Sequence, residues 1–122
     1  MRAVAFLLML IPLASCAASI DDVRAEPVRW SNTYRVPFDT MANCLAARSI
    51  QDWSVAPQVY PREGVAYVTV AAKDSNTIMA EYVVRRQADG GSMVEWRRKK
   101  LVADLGGLET GSREAAERCA RP

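Results

Sequence analysis

The chain has 122 residues, 16 Lys and Arg against 14 Asp and Glu, three cysteines and no histidine. Such a length supports one core rather than two, and the near-neutral balance lacks the basic excess of a dedicated nucleic-acid binder. Without histidine there is no usual general base, no Ser-His or Cys-His dyad, and not the commonest metal ligand. No glycine-rich phosphate loop, Cys-x-x-Cys pair or nucleophile elbow stands in the sequence, since Gly90-Gly91 and Gly106-Gly107 read as breakers in turns. Neither catalysis nor a cofactor or metal is expected.

In chain order, Arg2 precedes an apolar run from Ala3 to Leu13 that only Pro12 interrupts. A spanning helix needs about 20 apolar residues, so this run is too short to cross a bilayer and has the form of a signal peptide over residues 1–15. At its end stands Leu13-Ala14-Ser15-Cys16, an aliphatic residue, two small ones and a cysteine, followed by Ala17-Ala18-Ser19. The segment resembles the lipobox of bacterial lipoproteins; the resemblance covers only the first twenty or so residues. It implies diacylglycerol on the Cys16 sulfur, cleavage before Cys16, and acylation, such as by palmitate, of the new amine. Two or three chains at about 0.8 kcal/mol per buried CH₂ hold a protein on a membrane, whereas one chain holds it marginally. The resemblance further implies an outer-membrane destination facing the periplasm, because Ala17 rather than Asp follows the cysteine.

Removing residues 1–15 from 122 leaves 107 residues, with 15 Lys and Arg against 14 Asp and Glu. Residues 16–27, rich in small and polar side chains and closed by Pro27, read as a lipidated tether, and 28–122 as a single periplasmic domain. From Val28 to Val36, Trp30, Tyr34 and Val36 share one parity, predicting a half-buried strand. Pro37 ends it, and Asp39 or Thr40 is placed to cap a helix running to about Ile50, with Phe38, Met41 and Leu45 on its inner stripe and Cys44 and Ala42 beside them. Val55 to Tyr60, holding Pro57, reads as an edge strand. Val65 to Ala72 is the clearest strand. It is followed across a turn at 73–76 by a second carrying Ile78, Ala80, Tyr82 and Val84, then by the hairpin signal Asp89-Gly90-Gly91 and a strand with Val94 and Trp96. A last helix is predicted from Arg113 to about Ala120, capped by Ser112. The order β-α-(β)-β-β-β-α predicts an α+β two-layer sandwich, an antiparallel sheet of four to five strands with two helices on one face.

With Cys16 assigned to lipid, Cys44 and Cys119 form an even pair in a compartment where disulfides persist, and a bond between them is expected; two separately buried thiols are the alternative. The run Arg97-Arg98-Lys99-Lys100 alternates faces at a solvated strand end. As an interaction surface it would meet acidic headgroups or an acidic partner. Glu81 and Glu95 have cross-strand partners on offer in Arg85 and Arg97. The aromatics Trp30, Trp53, Tyr60, Tyr67, Tyr82 and Trp96 read as core and cross-strand packing, or else as a lining for a protein or glycan partner. The expectation is a membrane-anchored envelope protein acting as an interaction or accessory module; binding of a small molecule, lipid or glycan between sheet and helices is the alternative.

Overall fold

A computed structural model describes residues 20–48, 53–75, 77–100 and 107–121. Its elements are α1 (Ile20–Arg24), β1 (Trp30–Tyr34), α2 (Phe38–Ala47), β2 (Trp53–Tyr60), β3 (Val65–Ala72), β4 (Ile78–Arg86), β5 (Ser92–Arg98) and α3 (Leu108–Ala120). The five strands form one antiparallel sheet in the order β1-β5-β4-β3-β2. The chain folds as the α+β sandwich its patterning predicts, with β2 to β5 a continuous meander and β1 returning to the far edge.

Alternation decides which side chains form the core. Ala66, Val68 and Val70 on β3, Ala80, Tyr82 and Val84 on β4, and Val94 and Trp96 on β5 point to one face, because successive strand residues project to opposite sides. Phe38, Met41, Ala42 and Leu45 of α2 and Leu108, Ala115, Ala116 and Cys119 of α3 close over that face. Across it Trp30 meets Tyr82 edge to face, with centroids 6.3 Å apart, a geometry that aligns the ring quadrupoles favourably, and Tyr82 meets Trp96 tilted at 6.5 Å.

Cys44 of α2 and Cys119 of α3 are bonded, 75 residues apart in sequence with Cα atoms 5.8 Å apart. The closed loop removes unfolded-state entropy worth about 4 to 5 kcal/mol in the chain-entropy model.

β1 is shorter than the expected Val28 to Val36, β2 opens at Trp53 rather than Val55, and α2 ends at Ala47 rather than near Ile50; three further differences bear on how the layers are held. α2 starts at Phe38 with Pro37 at its cap position, and no side chain caps it; Asp39 instead accepts a hydrogen bond from the N–H of Thr40. α3 starts at Leu108, five residues before Arg113, with Gly107 left-handed at its N-cap. Burial of Leu108 outweighs the helix-weakening Gly111. Ser112 is therefore no cap. It lies fully buried inside the helix, donates from Oγ to the Glu109 carbonyl (2.6 Å) and accepts from the indole Nε1 of Trp30 (3.0 Å), while its own carbonyl accepts from the Tyr82 hydroxyl (3.3 Å). One serine thus ties α3 to β1 and β4.

The third difference concerns the stretch expected to be a bare tether. Residues 20–24 form a helical turn and a half on the opposite face of the sheet, packed on β4 and β5 with Val23 fully buried. Two apolar residues, Ile20 and Val23, in a five-residue helix give too little periodic signal, yet Val23 is buried where α1 packs on β4 and β5.

Candidate functional site

Cys16, the expected lipidation site, lies outside the described residues. Cys44 and Cys119 are joined in the bond described above and stitch the helical layer. The four basic residues are not gathered on one face. Arg97 donates to the Glu26 carbonyl (3.1 Å) and sits 3.6 Å from Glu95. Arg98, on the other face, lies 3.7 Å from Glu109 of α3, and the Lys99 N–H donates to the Met79 carbonyl at the strand end. Two of the four guanidinium and ammonium groups are thus engaged by carboxylates, and of the four residues only Lys100 is exposed rather than half-buried. Of the aromatics, Trp30, Tyr82 and Trp96 are core, Trp53 and Tyr67 are half-buried, and Tyr60 is exposed.

Two surfaces stand out. The first follows the free edge of β1. Ser31, Asn32 and Thr33 are exposed there, and a cavity of about 370 Å³ lies between this edge and α3, lined by Trp30, Ser31, Asn32, Tyr34, Arg113 and Glu117. A second of about 340 Å³, lined by Thr33, Tyr34, Arg35, Gln87 and Asp89, meets it at Tyr34. Together they make a trough along the whole strand. The Tyr34 hydroxyl at their junction is shielded from solvent, and burial raises its pKa above the ordinary phenol value against the opposing pull of the Asn32 side chain. Its floor is rigid: Trp30 is held by Ser112, and the Tyr34 carbonyl is packed so closely against Gly91 that a side chain there would collide with it.

The two sheet edges are built differently. β2 carries Pro57 in mid-strand, which removes a donor and blunts the edge against added strands. β1 has no proline and no charged residue among Trp30-Ser31-Asn32-Thr33-Tyr34. Among the described residues no strand lies beyond it, and apart from the Thr33 N–H, which donates to Asn32 Oδ1 (2.9 Å), its edge is a template for pairing.

The second surface is the sheet face away from the core. There Arg24 of α1 grips Glu81 with two hydrogen bonds, Nε to Oε1 (3.1 Å) and Nη2 to Oε2 (2.8 Å), and lies over the Tyr67 ring, 4.7 Å from its centroid. Glu81 is 1% exposed. The carboxylate holds the Arg24 guanidinium above its already high pKa. Glu95 sits between Arg85 of the neighbouring β4 (3.7 Å) and Arg97 two residues along its own strand (3.6 Å), so that only Arg85 reaches it across strands. Glu81, by contrast, takes a partner that strand alternation does not reveal, because Arg24 arrives from a segment read as tether. A shallow cavity of about 220 Å³ separates Arg24, Tyr67, Glu81, Val83, Arg85 and Arg97. Of its three arginines, Arg24 is held by Glu81, and Arg85 and Arg97 share Glu95, the arrangement of a structural clasp.

Among the described residues no group of three or more Cys, Asp or Glu side chains could hold a metal ion, and no helix is long and apolar enough to cross a membrane. The chain matches no family model, and no curated protein matches it at a significant level.

Proposed function

We propose that this protein is a lipid-anchored bacterial envelope protein, held on a membrane through Cys16 and serving as an interaction module that receives an extended segment of another envelope protein along β1. The observation that carries the docking part is the trough: a short, proline-free edge strand with no further strand beyond it among the described residues, flanked by α3 and bordered by the two cavities from Trp30 to Arg35. An added strand takes its affinity from main-chain hydrogen bonds and its selectivity from alternate side-chain pockets. Arg113, Glu117 and Asp89 along the trough supply charged contacts of both signs. The anchor is supported by the lipobox-like Leu13-Ala14-Ser15-Cys16 behind a short apolar run.

The alternative placed a ligand between sheet and helices. That space is filled by Trp96, Tyr82, Met41 and Leu45, each no more than 2% exposed, which favours docking on the outside.

A photoreactive residue at Asn32 tests the reading in intact cells. The expected result is one discrete adduct at Asn32, none from the same residue at Ala56 on the β2 edge, and loss of the adduct when Thr33→Lys blunts β1. Equal adducts at both edges, or an adduct indifferent to Thr33→Lys, would contradict it.

A further inference from the structure

Resting on the reading that Cys16 carries the lipid, we infer that the sheet face bearing α1 lies against the phospholipid headgroup layer, with the helical face turned away from it. The argument is the length of the leash. Only four peptide steps separate Cys16 from Ile20, and a fully extended chain covers about 3.5 Å per residue, so the acylated cysteine lies within about 14 Å of Ile20. Ile20 opens a helix that is itself clasped to the sheet, by the wholly buried Val23 and by the paired bonds of Arg24 to Glu81. The leash therefore starts over β4 and β5, close to the middle of the face.

To turn the other face to the bilayer, the leash would first have to reach the β1 edge, about two strand spacings or roughly 7 to 10 Å away. It would then have to pass the sheet and a helix layer about 10 to 12 Å thick. The route is about 20 Å or more, beyond what four residues span. The orientation follows from covalent reach, so it needs no attraction by charge. The exposed Asp21 and Asp22 on α1 oppose Arg24, Arg85 and Arg97 on the same side, and binding is expected to be indifferent to anionic lipid. The side chain best suited to the headgroup level is Tyr60, 39% exposed and stacked edge to face on Tyr67 at 5.9 Å; tyrosine favours such interfaces by its apolar ring and polar tip. The β1 trough then opens sideways, parallel to the membrane.

The test uses the full lipidated protein in phosphatidylethanolamine–phosphatidylglycerol vesicles whose headgroups carry a nitroxide quencher. A fluorophore is attached through Tyr60→Cys on the α1 face or through Glu114→Cys on α3. The expected result is quenching several-fold stronger at position 60 than at 114, a difference that disappears when a twelve-residue Gly-Ser segment is inserted between Ser19 and Ile20. Equal quenching at both positions, stronger quenching at 114, or a difference that survives the insertion overturns the orientation while the anchor stands. If the protein fails to float with the vesicles at all, the anchor itself is refuted and the orientation with it.

Discussion

Replacing Arg24 by alanine isolates the contribution of the α1 clasp. The substitution removes both N–H donors that Arg24 gives to Glu81, at 2.8 and 3.1 Å, and leaves a carboxylate that is 1% exposed in the intact fold. Orphaning a fully buried charge costs about 3 to 5 kcal/mol. The Arg24 side chain is 45% exposed, so solvent screens the pair on one side and a five-residue helix can lift to admit water. The expected loss is therefore about 2 kcal/mol, a fall in Tm on the order of 10 °C for a domain of this size. Glu81→Gln should cost less, about 1 kcal/mol, because it leaves a half-exposed cation that water can solvate. The double variant Arg24→Ala with Glu81→Gln should be more stable than Arg24→Ala alone. Urea denaturation of the unlipidated domain measures all three. Equal costs for the two single variants, or a loss under 0.5 kcal/mol for Arg24→Ala, would refute the reasoning.

The remaining predictions concern the core and its pH dependence. Reducing the Cys44–Cys119 bond should lower stability by about 4 kcal/mol and raise the urea m-value, since the constraint acts on the unfolded chain. Ser112→Ala should cost about 1 to 3 kcal/mol, because it strands the buried Trp30 indole N–H and opens space beneath α3; thermal denaturation reports it. Glu109 accepts a 2.6 Å hydrogen bond from Arg29, which holds its carboxyl below the usual range. Its contribution is thus complete above the unfolded pKa near 4.5 and is lost as pH falls through the lower folded value. Glu109→Gln should flatten that limb of the stability–pH profile.

Much of the fold is legible in the sequence because strands with one buried face announce themselves. Val65 to Ala72 alternates so regularly that its boundaries coincide with β3, and Pro57 marks β2 as an edge. The disulfide follows from compartment and parity once Cys16 is set aside. What escapes local patterning is set by tertiary contacts. Val23 has a single apolar neighbour at helical spacing, Ile20, too little for a periodic signal, and is buried because α1 packs on β4 and β5. Ser112 has the chemistry of a cap but the place of a buried hydrogen-bond node. The trough was hidden for the same reason: Ser31, Asn32 and Thr33 carry no signal until the topology makes β1 an edge and lays α3 beside it.

The account stands on acyl chains at residue 16, which intact-mass spectrometry of the protein purified from native membranes measures directly. The expected spectrum shows a chain starting at Cys16 with the mass of diacylglycerol and a further acyl group added, and Cys16→Ser moves the protein to the soluble fraction. An unmodified sulfur at position 16, or a Cys16→Ser variant that still sediments with membranes, would contradict it.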